Sequence, residues 1–276
     1  MSDFTPGTPE AQSGSVGRRL RVCALYPDLM NIYADRGNLL MLERRCAWRG
    51  IGFELASSSL GEPLDASAHD LFYLGGGQDR DQRLCARDLL ETKRDALHEA
   101  AARGAIVLGI CGGYQLLGRS YVLGTERIEG VGLLNVETVR EDGARLIGNV
   151  AIEVRLDDDA SAASSNGEGN DESAGARVLA GFENHGGRTT LASGQAPLGR
   201  VLRGHGNDGR SGFEGARSGN AIGTYLHGPL LPKNSWFADW LIAGGLGIAE
   251  HELAPLDDAL ELAAHTGARR VAGLTA

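Results

Sequence analysis

The sequence predicts an α/β fold: a mainly parallel sheet flanked by helices, with a strand-elbow-helix nucleophile. Three observations predict it. Short apolar runs alternate with helix-like stretches, the pattern of βαβ units. One run, Ala105-Ile106-Val107-Leu108-Gly109-Ile110, is apolar throughout, as a strand buried on both faces must be. That run leads directly into a G-x-C-x-G turn centred on Cys111.

The elements follow in order. Leu20 to Tyr26 reads as the first strand, Gly37 to Arg49 as a helix and Gly52 to Ala56 as the second strand. Asp70 to Leu74 is a third strand, ending in Gly75-Gly76-Gly77. In the helix after it, Ala86, Leu90, Leu97 and Ala101 form one apolar stripe, and Gly104 is placed to stop it. Ala105 to Ile110 is the central strand, and Ala221 to Leu226 is a second buried-strand candidate. Residues 18–250 form one domain on this reading, with residues 1–17 a disordered tail and 251–276 a C-terminal helical segment. Asp157 to Ala176 contains six acids and no Lys or Arg, and reads as a solvated, flexible insertion. Arg203 to Gly219 reads as a long Gly-rich loop.

Composition excludes several classes. The chain has 276 residues, 42% hydrophobic and 23% charged, within the range of ordinary globular proteins. Its 27 basic and 36 acidic residues give a formal charge of −9, which does not steer a chain to nucleic acid. No apolar run is long enough to span a membrane, and the polar start lacks a signal-peptide core, so the expected location is the cytoplasm. Cys23, Cys46, Cys85 and Cys111 contain no C-x-x-C pair, which argues against a disulfide framework and a four-thiolate zinc site, and no zinc-ligand spacing appears. No metal is expected on this chain. Lys93 and Lys233 are its lysines and neither follows a glycine, so there is no Walker-type phosphate loop.

Chemistry concentrates at Gly109-Ile110-Cys111-Gly112-Gly113-Tyr114-Gln115. Flanking glycines permit a tight turn and close approach of a substrate, and a helix start favours thiolate and offers backbone N–H groups to an oxyanion. Cys23, Cys46 and Cys85 show no convergent partners and read as structural. A thiol nucleophile needs a base, and His227 is the best placed of the seven histidines, emerging at the end of the Ala221 strand before Gly228-Pro229. His185, in Gly181-Phe182-Glu183-Asn184-His185, reads from spacing alone as an ordinary buried or surface histidine. Gly75 to Gly77 fit a strand-to-helix turn, a phosphate nest or an oxyanion loop equally well.

Four motifs occur in one order: Leu74-Gly75-Gly76-Gly77-Gln78-Asp79, the Cys111 elbow, Gly181 to His185, and Tyr225-Leu226-His227-Gly228-Pro229. Together they resemble the cobyric-acid-synthase-like class I glutamine amidotransferases, from about Arg21 to about Leu241. The segment Tyr26 to Asn38 is similar to the glutaminase subunits of lipid II isoglutaminyl synthases. The resemblance implies a class I amidotransferase-like fold in which Cys111 attacks the carboxamide of L-glutamine, His227 moves the protons, and a thioester forms as ammonia leaves. It places the oxyanion on the backbone N–H groups of Gly76 and Gly112. It implies Arg145 for the substrate's α-carboxylate, although most arginines are solvated surface charges, and Gln115, Asn184 and His185 as pocket residues.

One departure matters, since many class I amidotransferases carry an acid two residues after the catalytic histidine and this chain has Pro229. The third member is then absent, or is Asp28 or Asp35, which equally fit as helix caps, or is a carboxylate of a partner. The missing phosphate loop sends the activating chemistry to another polypeptide. The resemblance implies a MurT-like subunit of the Mur-ligase family. ATP and Mg would bind there, with no cofactor on this chain, and lipid II would be amidated from D-glutamate to D-isoglutamine at the inner face of the membrane. Two other readings stay open: a stand-alone cysteine amidase or peptidase, and a catalytically silent binding module.

Overall fold

In the computed structural model, residues 17–31, 36–156 and 175–275 are described. The expected N-terminal tail up to Ser15 and Val16, Asp35, and the expected insertion from Asp157 to Ala174 lie outside them. The first strand, β1 (Arg19–Leu25), is followed by α1 (Arg36–Trp48), β2 (Gly52–Ser58), β3 (Leu71–Leu74) and α2 (Asp79–Asp88). A π-helical turn at Leu89–Lys93 leads into α3 (Arg94–Ala102), then β4 (Ile106–Ile110) and α4 (Gly112–Leu117). The strands β5 (Ser120–Leu123), β6 (Glu126–Glu129), β7 (Val136–Arg140), β8 (Leu146–Val154), β9 (Arg177–His185), β10 (Gly187–Leu191) and β11 (Gly199–Arg203) come next. The chain closes with β12 (Phe213–Glu214), β13 (Ala216–Ser218), β14 (Ala221–Thr224), α5 (Ser235–Leu246) and α6 (Ala259–Val271).

Six strands form the main sheet in the order β13-β14-β4-β3-β1-β2, parallel except for the β13–β14 pair. All residues of β3, β4 and β14 are buried, which is why these stretches read as unbroken apolar runs. Helices α1 and α5 pack on each other and α2 packs on α4, flanking the sheet. Two four-stranded sheets, β10-β7-β5-β6 and β12-β11-β8-β9, are built largely from the chain between α4 and β14.

Two readings change. In the expected stripe Ala86 and Leu97 are buried, but Leu90 and Ala101 are half-buried, and Leu89, which opens the π turn, and Ala100 take the core positions beside them. The same turn buries Lys93, whose ammonium donates to Ser59 O at 3.0 Å and pairs with Asp88. The segment expected as a Gly-rich loop holds β12 and β13, with β13 pairing β14 from Ala216↔Gly223 to Ser218↔Ala221. The C-terminal segment docks on the domain. Arg45 of α1, fully buried, holds Asp239 of α5 and Asp258 before α6, and His265 Nδ1 lies 2.9 Å from Lys233 O.

Candidate active site

The elbow is built where β4 stops. Cys111 takes φ 52° and ψ −104°, a conformation that an L-residue adopts only when its surroundings over-determine it, at a cost of about 1–3 kcal/mol. Its N–H donates to Thr224 O at 2.8 Å and its carbonyl accepts from Gln115 N at 3.2 Å, so β14 and α4 clamp it from both sides. Helix α4 has six residues, so the dipole assistance expected from the sequence comes from little more than one turn. The glycine loop after β3 lies against the elbow, with Gly113 N donating to Gly75 O at 3.0 Å. A side chain on Gly112 would begin 2.9 Å from Gly77 N, so the two backbones approach as closely as residues without Cβ atoms allow.

Cys111 lines a cavity of about 210 Å³ together with Gly77, Gln115, Arg145 and His185. Three of the expected pocket residues therefore share one space with the thiol. Gly76 and Gly112, on either side of this contact between loop and elbow, are buried, and of the glycine loop Gly77 lines the cavity. Asn184 is not part of the lining; its side-chain and backbone oxygens accept from Arg145 Nε at 2.7 Å and Nη2 at 2.6 Å. The β8–β9 register, Leu146↔His185 and Ile147↔Asn184, puts Arg145, Asn184 and His185 together at one end of that hairpin.

His185 is held by its ring. It stacks on Tyr225 with centroids 3.6 Å apart, and its Nδ1 lies 2.8 Å from Gly187 O. Burial pushes its pKa down to about 3, so the ring is neutral; with Nδ1 donating to the carbonyl, Nε2 is left as an acceptor. Gln115 is locked at both ends of its amide, donating to Tyr225 OH at 3.2 Å and accepting from Gln82 Nε2 at 3.1 Å. The chain of contacts continues from Tyr225 OH to Thr189 Oγ1 at 2.6 Å and on to Thr138 Oγ1 at 2.7 Å. Gln82, Thr189 and Thr138 carried no sequence signal, because nothing local marks a polar residue that pairs across three elements.

His227 stands just beyond β14. In the register of the adjacent strands Thr224 faces Ile110, so Cys111 and His227 leave the sheet from its same edge. The His227 backbone pairs with Phe182, donating N–H to its carbonyl at 2.9 Å and accepting at 3.2 Å. Burial, helped by the Lys233 and Arg145 charges, pushes its pKa down to about 4. Glu214 braces this segment from below, accepting from Tyr225 N at 2.6 Å and Thr224 Oγ1 at 2.9 Å, and burial raises its pKa to about 8. Glu183 of the Phe182-Glu183-Asn184-His185 motif is structural: it accepts from His205 N at 2.6 Å and Gly206 N at 2.9 Å. Asp28 is exposed and lines a separate cavity with Asn31 and Arg36, away from the Cys111 pocket. Among the described residues no cluster of three or more His, Cys, Asp or Glu is arranged to hold a metal, and no helix is long and apolar enough to cross a membrane.

Residues 21–235 match the CobB/CobQ-like glutamine amidotransferase domain, a span that includes Cys111, Arg145 and His227. The chain belongs to that family. This amidotransferase is 35% identical over 237 residues to the Streptococcus pneumoniae protein named lipid II isoglutaminyl synthase (glutamine-hydrolyzing) subunit GatD, covering 86% of this chain and 84% of that one. It is 38% identical over 225 residues to the Staphylococcus aureus protein of the same name, covering 81% and 83%. A Pelotomaculum thermopropionicum cobyric acid synthase is 34% identical over 228 residues, but the amidotransferase spans only 39% of its length. Among solved structures, that of PurLQS from Thermotoga maritima superposes with a TM-score of 0.52 at 19% identity, covering 90% of this chain and 98% of that chain, which shows a shared fold. The enzyme class is therefore a glutamine-hydrolysing amidotransferase, as the sequence led us to expect.

Proposed function

We propose that this chain is the glutaminase subunit of a lipid II isoglutaminyl synthase, releasing ammonia from L-glutamine for a MurT-like, ATP-dependent partner. The observation that carries the reading is the strained Cys111 at the end of β4, opening on a cavity shared with Arg145, Gln115 and His185. The names of the streptococcal and staphylococcal relatives, matched over more than four-fifths of their length, support the substrate and the division into subunits.

The chemistry balances with these residues. Cys111 Sγ attacks the glutamine carboxamide carbon while His227 takes the thiol proton, and the N–H groups of Gly76 and Gly112 stabilise the oxyanion. The C–N bond breaks as His227 returns the proton to the leaving nitrogen, leaving a thioester and ammonia. Water, deprotonated by His227, then releases glutamate. Arg145, oriented by Asn184, takes the α-carboxylate, and the fixed amide of Gln115 and the His185 Nε2 acceptor complete the pocket. The partner binds ATP and Mg²⁺, activates the D-glutamate carboxylate of the lipid II stem peptide at the inner face of the membrane, and consumes the ammonia.

A carboxylate of the partner orienting His227 makes two outcomes expected. Glutamate release rises at least about tenfold when the partner is added, in line with the worth of an oriented base. The acid limb of kcat/KM also moves. In the isolated chain it lies near pH 4, because an imidazole depressed to about 4 by burial loses its base form only as pH falls through that value. In the pair it shifts to higher pH, since an anion beside the imidazole favours its charged form. Equal rates and equal limbs with and without the partner would remove the partner carboxylate; no hydrolysis in either state would remove the glutaminase reading.

A further inference from the structure

The cavity that holds Cys111 also holds a carboxylate that the reaction above does not use. Asp79 opens α2, directly after the glycine loop, and lines the cavity with Cys111 and Arg145. Tyr121 donates its hydroxyl to Asp79 Oδ1 at 3.2 Å, and Arg140 pairs with Oδ2. Each oxygen keeps a second lone pair, and the side chain is 36% exposed, open to a ligand. Arg140 Nε and Arg145 Nη1 lie 3.5 and 3.6 Å from the point where a side chain on Gly186 would begin, so the two guanidinium groups flank one spot on the wall. Among the described residues lining this cavity, Asp79 is the one carboxylate beside two arginines.

A free amino acid brings both charges on one carbon, so its site needs a cation and an anion side by side. We propose that Asp79 anchors the α-ammonium group of glutamine, while Arg145 takes the α-carboxylate. Arg140 is a positioning residue: it balances the Asp79 charge and, with Tyr121, fixes the direction of its carboxylate. The pair of anchors selects free L-glutamine over glutamine within a peptide, whose α-nitrogen is an uncharged amide, and over amides with no α-nitrogen. This rests on the glutaminase reading and deepens it.

The test is Asp79→Asn, assayed in the chain together with its Mur-ligase-family partner. Ammonia release from L-glutamine is measured, with 4-carbamoylbutanoate, the same molecule without its α-amino group, as competitor. Asparagine keeps the shape and the acceptor for Arg140 but removes the charge. The expected result is a tenfold to hundredfold rise in KM for glutamine, about the worth of one charge-assisted hydrogen bond, with kcat and the Ki of 4-carbamoylbutanoate changed less than about threefold. The retained kcat reports a folded site. A KM that does not move, a kcat loss at constant KM, or equal losses for glutamine and its competitor would overturn the assignment. Absence of ammonia release by the wild-type pair would instead overturn the glutaminase reading beneath it.

Discussion

Cys111→Ala lowers glutamine hydrolysis by at least about 10⁴-fold, because removing the proposed nucleophile closes the covalent route rather than weakening one of its contacts. On the proposed division of labour, the pair of subunits carrying this variant makes no amide from glutamine yet still amidates when supplied with an ammonium salt. The fold survives: the lost sulfur is at a site only 7% exposed, alanine accepts the same backbone, and the Thr224 and Gln115 hydrogen bonds to residue 111 are main-chain contacts. Cys111→Gly is equally inactive but more stable by about 1 kcal/mol, because glycine adopts φ 52° without the penalty that cysteine bears. Among the described residues Tyr26, at φ 50°, is the other non-glycine residue at positive φ, so the strain at Cys111 is a local feature of the elbow. Hydrolysis by Cys111→Ala within tenfold of wild type would take Cys111 out of the mechanism.

Gly113→Ala has the largest expected cost in stability. A Cβ there would begin 2.1 Å from Leu74 O, 2.8 Å from Leu74 C and 2.9 Å from Gly75 O. All three are backbone atoms of β3 and the glycine loop, so no side chain can turn aside. Gly77 offers the contrast, since a Cβ on it would meet first the Met30 sulfur, on a flexible side chain. Relief at Gly113 requires α4 to move away from β3 by about an ångström, and rigid overpacking of this kind costs about 3–5 kcal/mol. Thermal unfolding is then expected roughly 10 °C below wild type. On the proposed mechanism whatever folds is also slow, because the movement separates Cys111 from the glycine loop proposed to hold the oxyanion. Melting within about 2 °C of wild type would show that the loop and the elbow are not in the contact described.

The legible part of this molecule is the part whose environment is uniform. Strands β3, β4 and β14 are buried on both faces, so burial wrote them as apolar runs, and the glycines around Cys111 marked the turn that follows β4. The same logic placed only half of the stripe in α2 and α3, Ala86 and Leu97, because apolar residues at neighbouring positions, Leu89 and Leu90 or Ala100 and Ala101, fit one helical face almost equally well. It passed over β12 and β13, which are two and three residues long and rich in polar side chains.

By itself the sequence determined the sheet, the Cys111 turn after β4 and the place of His227 just beyond β14, because each is set by local backbone geometry or by burial along one stretch of chain. Only the tertiary structure decided that Arg45 is buried between Asp239 and Asp258, that Asn184 serves Arg145 rather than lining the cavity, and that Asp79 faces the same space as Cys111. Those roles come from pairs of polar groups between 39 and 213 positions apart, counting from Arg145 to Asn184 and from Arg45 to Asp258. A charge bonded to a distant opposite charge leaves no periodic trace at either end, since the energy that buries it resides in the partner.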